Sequence, residues 1–123
     1  MSDAPLTFKE MCARFDVTPR TLRYYEYIEL LSPEKDGRTR SYGPREIARM
    51  VLILRGRRFG FSLEEIRQWL EIYEDRGDQA QMKAWVEHAD RQIKELKNQR
   101  KQLDESISEL QNLRDDALKG LKQ

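Results

Sequence analysis

The chain has 123 residues, 37% of them charged, with a net charge of +1, six Gly and four Pro. That length suits one domain of ordinary size plus an appendage rather than two globular domains, and the charge-rich, Gly- and Pro-poor composition favours long exposed helices. No apolar run approaches a membrane span, MSDAPLTF lacks the basic-then-apolar pattern of a secretory signal, and the single cysteine, Cys12, excludes an internal disulfide and cannot alone build a metal site. A cytoplasmic protein without metal or cofactor is expected.

Thr7 to Phe15 reads as a first helix. Thr7 and Glu10 have the spacing of a capping box, and Phe8, Met11, Cys12 and Phe15 recur at helical intervals. Cys12 therefore reads as a small buried side chain. Asp16 and Val17 make a tight connection into TPRTLRYYE, Thr18 to Glu26. Thr18 can cap a helix and Pro19 suits its first position, where no N–H is needed. Leu22 and Tyr25 share an inward face, whereas Arg20, Thr21, Arg23 and Tyr24 point elsewhere. Two guanidiniums, a hydroxyl and a phenol are suited to phosphates and base edges; a merely solvated basic face is the competing reading. Helix, short turn and second helix form the helix-turn-helix arrangement, whose second helix enters the major groove of DNA.

Leu31 to Gly43 carries turn chemistry: Ser32-Pro33, Asp36-Gly37, then the alternating Arg38-Thr39-Arg40-Ser41-Tyr42. Asp-Gly between extended runs signals a hairpin, and Arg38, Arg40 and Tyr42 on one face suggest a wing laid along the DNA backbone or minor groove. An exposed basic loop is the alternative. Pro44 then starts a third helix with Ile47, Met50, Val51 and Leu54 inward, ending in Arg55-Gly56-Arg57-Arg58. After Gly60-Phe61, Ser62 and Glu65 form a second capping box. The helix they open is lined by Leu63, Ile66, Leu70 and Tyr73, with Trp69 extending the face; core packing is preferred there to a ligand pocket. Arg76-Gly77-Asp78 marks a boundary, giving a winged helix-turn-helix domain over 1–77 and a coiled-coil helix over 78–121.

From Met82 a heptad runs without a slip through Val86, Ala89, Ile93, Leu96, Arg100, Leu103, Ile107, Leu110, Arg114, Ala117 and Leu121. A helix from Gln79 to Leu121 spans roughly 64 Å. Its stripe is too long to bury against the remainder of the chain, and a second copy is the simplest cover. Val86, Ala89, Ile93, Leu96, Arg100, Leu103, Ile107, Leu110 and Ala117 are the expected dimer contacts. Arg100 and Arg114 are expected to fix the register by meeting carboxylates such as Glu105 or Glu109. The fold class is thus all-α with a small β-hairpin wing. Residues 1–60 hold twelve Lys or Arg against eight Asp or Glu, whereas 61–123 hold eleven against fourteen, so the basic excess sits with the helix-turn-helix.

Taken together, Leu22-Arg23-Tyr24-Tyr25-Glu26, the basic wing, Phe59-Gly60-Phe61-Ser62-Leu63-Glu64-Glu65-Ile66 and the terminal coiled coil resemble the MerR family of bacterial transcription regulators. The resemblance covers essentially the whole chain. It implies a homodimer held by an antiparallel coiled coil, each subunit presenting a winged helix to half of a palindromic promoter in double-stranded DNA. The promoter would be bent and untwisted so that RNA polymerase can engage. It also implies roles: Arg20 and Thr21 at the major groove, Arg23 and Tyr24 on phosphates, Tyr25 placing the helix, Arg38, Arg40 and Tyr42 in the wing, and Arg57 on a phosphate; Thr18, at the cap, is counted with them among the DNA-binding residues. Many members have Gly where this chain has Glu29, a residue that would end the helix in the left-handed conformation. Metal-sensing members carry cysteines near both ends of the dimerisation helix, and this chain has none there. Drug-sensing members add a large ligand domain, so the likeness is to the short, cysteine-poor branch.

A DNA-architectural or excisionase-like factor without effector sensing, and a coiled-coil adaptor, are the competing functions. An enzyme is not expected: His88 is the only histidine, no nucleophile and base converge, and there is no phosphate-cradling Gly loop. The effector is unknown; a small molecule, if one binds, is expected between the Trp69 and Tyr73 helix and the start of the coiled coil near Trp85.

Overall fold

Caps written into the sequence set the first two helices of the computed structural model, which describes residues 4–75 and 78–121. Helix α1 spans Phe8–Phe15. At its start Glu10 N–H donates to Thr7 Oγ1 (3.1 Å) and Thr7 N–H donates to Glu10 Oε1 (2.9 Å), the reciprocal pairing of a capping box. Asp16 closes the helix with a left-handed φ of 52°, a conformation its short polar side chain tolerates. Helix α2, Pro19–Tyr27, starts one residue after Thr18, whose Oγ1 accepts from Thr21 N–H at 3.1 Å.

The exit from α2 turns on Glu29. Leu30 N–H donates to the Tyr25 carbonyl (2.9 Å) and Glu29 N–H to the Glu26 carbonyl (3.0 Å), a Schellman closure that needs the left-handed conformation at Glu29. Its φ of 64° supplies that conformation without glycine. The chain thus keeps the left-handed exit that a Gly would make, at the cost of a Cβ in that region.

Strands β1 (Glu34–Asp36) and β2 (Thr39–Ser41) form an antiparallel hairpin pairing Glu34 with Ser41, Lys35 with Arg40 and Asp36 with Thr39. That register makes Gly37-Arg38 the two-residue loop, with glycine at the first central position and φ 64°. Asp36 belongs to the strand rather than to the turn centre. Tyr42 extends the hairpin by a bridge to Leu6, with both backbone hydrogen bonds at 2.8 Å.

Helices α3 (Pro44–Phe59) and α4 (Leu63–Asp75) are joined through Gly60, at φ 91°, and the Ser62–Glu65 capping box. They approach closely at Gly56, where an added Cβ would lie 2.8 Å from Ile66 Cγ1. The core collects Met11, Leu22, Tyr25, Leu30, Leu31 and Tyr42 with Met50, Leu52, Ile53, Phe61, Ile66 and Leu70. Two apolar assignments from periodicity are corrected. Val51 is 40% exposed while Leu52 and Ile53 are buried, because α3 is covered on two sides and its buried arc is rotated from the expected one. Tyr73 is 66% exposed near the end of α4, whereas Trp69 packs against the core.

The chain divides after Asp78 into two units. Of the expected boundary, Arg76 and Gly77 lie outside the described residues. The second unit is α5, one uninterrupted helix from Gln79 to Leu121 with no buried residue. Val86, Ile93, Leu96, Leu103, Ile107 and Leu110 along its seam are between 38% and 67% exposed. Leu113 and Leu118, outside the heptad seam, widen the exposed apolar stripe near the C-terminal end.

Candidate nucleic-acid interface

Helix α2 has an anchored face and an open face. On the anchored side Leu22 and Tyr25 enter the core. Its C-terminal end is clamped by charged side chains from α3 and α4. Arg49 Nε donates to the Leu30 carbonyl at 2.8 Å, Arg67 donates to the Ile28 carbonyl, and Ser32 N–H donates to Glu46 Oε2 at 2.9 Å. Cations at the end of a helix also complement its dipole. Arg49 and Arg45 share Glu74 at 2.7 and 2.9 Å. Burial alone would raise the Glu74 carboxyl, but the hydrogen bond and charge of Arg49, reinforced by Arg45, hold it below the usual carboxylate range. Helix α2 is therefore fixed to its scaffold at the residues that follow it.

The open face carries Arg20, Arg23, Tyr24 and Tyr27, spaced three and four residues apart and all exposed. Arg20 has no protein partner among the described residues, and Arg23 lies over the Phe8 ring with its guanidinium carbon 5.2 Å from the centroid. Thr18 is engaged in the cap, donating to Thr21 Oγ1 at 3.0 Å, so both hydroxyls are held at the N-terminus of the helix. Tyr27, 83% exposed, did not emerge from sequence reasoning, although it continues the row of Arg20, Arg23 and Tyr24 at helical spacing.

The hairpin does not present Arg38, Arg40 and Tyr42 together. Alternation does put Arg40 and Tyr42 on one face of β2, but that face turns to α2 rather than to solvent. Arg40 Nε donates to Glu26 Oε1 at 2.8 Å, and its guanidinium also lies 5.5 Å from the Phe8 centroid. Tyr42 is 0% exposed and its hydroxyl donates to Glu26 Oε2, so its expected place on a DNA-facing surface is corrected to a core position. Burial, then the hydrogen bond and charge of Glu26, push the Tyr42 phenol far above its ordinary range against the opposing effect of Arg40; the phenol stays a neutral donor. Tyr25, also buried, can act only by positioning α2. Arg38, at the loop tip, is exposed and unpaired among the described residues.

Glu26 is the residue sequence reasoning missed. Its carboxylate, with a side chain only 8% exposed, ties β2 to α2 through two separate donors. The available signal was a carboxylate one residue past Tyr25 on the inner face of an otherwise apolar row. Arg55, Arg57 and Arg58 are exposed around the end of α3, where cations complement the helix dipole. Cys12 is half-buried; burial lifts its thiol above the ordinary range despite the nearby Arg23 charge, which fits an inert packing role. Among the described residues no group of His, Cys, Asp and Glu could hold a metal ion, and no helix is long and apolar enough to cross a membrane.

Comparison with known proteins gives these surfaces a context. Residues 6–72 match the family described as MerR HTH family regulatory protein, and residues 47–113 match the family described as MerR, DNA binding. The HTH-type transcriptional regulator HmrR of Rhizobium leguminosarum bv. viciae is 36% identical over 106 residues, covering 80% of this chain and 81% of its own. A MerR-family transcriptional regulator from Bacillus cereus superposes with a TM-score of 0.66 at 25% identity, over 85% of this chain and 75% of that one. HiNmlR, a MerR family regulator lacking the sensor domain and solved bound to promoter DNA, shares the fold with a TM-score of 0.66 at 21% identity, over 85% and 79%. A clamped helix-turn-helix, a two-stranded wing, a helix pair and a long terminal helix, matched over nearly the whole chain, make this protein a member of the MerR family of DNA-binding transcriptional regulators.

Proposed function

We propose that the protein acts as a homodimer that reads a palindromic promoter, placing α2 of each subunit in a major groove and bending and untwisting the duplex between them so that RNA polymerase can engage. The observation that carries this reading is the open face of α2, where Arg20, Arg23, Tyr24 and Tyr27 are exposed on a helix locked from behind by Glu26, Arg49 and Arg67. A rigid mount is what base readout requires, because a bidentate guanidinium contact is lost with a small displacement. Arg20 is assigned to a base edge near the N-terminus of α2, with Thr18 and Thr21 beside it. Arg23 and Tyr24 are assigned to phosphates, Arg38 at the hairpin tip and Arg57 at the end of α3 to the flanking backbone. The exposed seam of α5 supports the homodimer, since an isolated apolar stripe of that length needs a cover. HiNmlR, which shares the fold, was solved on promoter DNA, and this agrees with the same assignment. Such a regulator works in the bacterial cytoplasm, where promoter DNA is.

Distorting the promoter costs on the order of 1–6 kcal/mol, offset by backbone contacts made on both half-sites. The test combines binding, topology and transcription. Affinity for the promoter upstream of its own gene is measured against salt, with Arg20→Ala and Arg38→Ala alongside wild type. Arg38→Ala is expected to weaken binding uniformly and to lower the salt slope by about one per subunit contact, and Arg20→Ala to relax base preference. Closed-circular DNA relaxed in the presence of the protein is expected to retain a change in linking number. Binding without any change in twist would refute the untwisting step. Untwisting without any effect on transcription would indicate an architectural factor instead.

A further inference from the structure

Three elements meet at the ring of Phe8, the first residue of α1. Phe8 packs against the core and yet is only half-buried. Arg23 of α2 places its guanidinium carbon 5.2 Å from the ring centroid, and Arg40 of β2 places its own at 5.5 Å. What else holds the two cations differs. Arg40 donates to the Glu26 carboxylate at 2.8 Å, so its charge is matched inside the protein. Arg23 is exposed and has no hydrogen bond or ion pair among the described residues, so the ring is its anchor. The charge of Arg23 also reaches the Cys12 thiol, one turn along α1 on the same face as Phe8, which agrees with a guanidinium held against α1.

We propose that Phe8 is a positioning residue for DNA binding: its ring holds the Arg23 guanidinium in the pose that α2 presents to a phosphate, without neutralising its charge. This rests on the assignment of Arg23 to a phosphate and names what prepares it for that contact. An unrestrained arginine gives up rotamer freedom when it grips a phosphate, and a contact that already limits that freedom lowers the cost of binding. A carboxylate would restrain Arg23 as well, but it would cancel the charge that attracts the phosphate, as Glu26 does for Arg40. The ring attracts the cation through its quadrupole and leaves the full positive charge on offer. A planar guanidinium resting on a ring by its face also keeps the N–H donors along its edge free for phosphate oxygens.

Glu26 has a part in the same arrangement. Two guanidiniums so close to one ring repel each other, and the carboxylate offsets that repulsion by neutralising Arg40. The ring is thus shared between a cation spent on holding the hairpin to α2 and a cation kept for the ligand. An aliphatic residue in place of Phe8 would keep the apolar packing and lose the platform.

Affinity of the full chain for a duplex carrying the promoter upstream of its own gene tests the role, measured across salt concentrations. Phe8→Leu, Phe8→Trp, Arg23→Gln and the double variant Phe8→Leu/Arg23→Gln are compared with wild type, with helix content and thermal unfolding followed by circular dichroism. Phe8→Met replaces Phe8→Leu if the latter unfolds early. Phe8→Leu is expected to weaken binding about threefold per subunit, or about tenfold for two subunits on one site, with the salt slope unchanged because the charge remains. Phe8→Trp is expected to bind within about twofold of wild type, since tryptophan is the better cation platform. Arg23→Gln is expected to weaken binding and lower the salt slope, and Phe8→Leu is expected to cost nothing further in that background. Equal losses from Phe8→Leu in both backgrounds would assign the residue to packing or to Arg40 and overturn the proposal. So would wild-type affinity in Phe8→Leu, and either result would leave Arg23 on its phosphate. Wild-type affinity and salt slope in Arg23→Gln would overturn the phosphate assignment and the proposal with it.

Discussion

Replacing Glu26 with Ala tests how the recognition helix is mounted. The substitution removes the acceptor of both Arg40 Nε and the Tyr42 hydroxyl. The two losses differ in weight. Arg40 is 31% exposed and can turn back to water, so its share is about 0–1 kcal/mol. Tyr42 is 0% exposed, and a buried hydroxyl left without a partner costs about 1–3 kcal/mol. The total, about 1–4 kcal/mol, corresponds to a fall in Tm of roughly 4–25 °C for a domain of this size. Tyr42→Phe removes the stranded hydroxyl and leaves the Glu26–Arg40 pair, so it is expected to cost about 1 kcal/mol by itself. In the Glu26→Ala background it is expected to recover about 1–2 kcal/mol, a non-additivity that a double-mutant cycle isolates. The assay is urea unfolding followed by circular dichroism at one fixed protein concentration, because the proposed dimer would make stability concentration-dependent. A Glu26→Ala variant within about 0.5 kcal/mol of wild type, or strict additivity with Tyr42→Phe, would refute the claim that this carboxylate holds the wing to α2.

Glu29→Gly is expected to stabilise the protein by about 0.5–1 kcal/mol, since relief of the left-handed strain exceeds the added chain entropy; destabilisation in urea would contradict the Schellman exit. Gly56→Ala is expected to cost about 1–3 kcal/mol through contact with Ile66, with partial relief on adding Ile66→Ala; an unchanged unfolding midpoint would show that Ile66 moves freely aside. Because the folded carboxyl of Glu74 sits below its model-peptide range, its contribution is fully present above the unfolded value of about 4.5 and is lost as pH falls through the depressed folded value. Wild type is therefore expected to exceed Glu74→Gln in stability at neutral pH, with the gap closing under acid; a gap that widens on acidification would reverse the sign of the argument.

The parts of this fold legible in sequence are those specified by neighbours along the chain. Thr7 with Glu10, Thr18 before Pro19 and Ser62 with Glu65 mark helix starts within three residues, and all three caps form. The extent of α5 was equally readable, because a heptad pattern with no Pro or Gly before Gly120 continues one helix, Gln79–Leu121. What local pattern could not give was which side of the hairpin faces inward. Alternation correctly joined Arg40 to Tyr42, but the decision between solvent and core rested on Glu26, sixteen residues before Tyr42. The same holds for Val51, whose exposure depends on two separate elements covering α3, and for Tyr73, which lies at the edge of the α3–α4 packing. Glu29 shows a different limit: sequence preference favours Gly at a left-handed exit, yet the closure formed with a side chain that pays strain for it. In the candidate interface, Arg20, Arg23, Tyr24 and Arg38 were readable as outward chemistry. Tyr27 lay on the same row and could have been added from spacing alone.

The central claim is that two copies of the α2 face read one symmetric DNA site. Selection of bound duplexes from a random pool by the full-length protein, followed by sequencing, tests it most directly. The expected product is an inverted repeat with two equal half-sites at a fixed separation, whose enrichment weakens at one symmetric pair of positions for Arg20→Ala. Recovery of no symmetric motif, or of a motif with a single half-site, would contradict the claim.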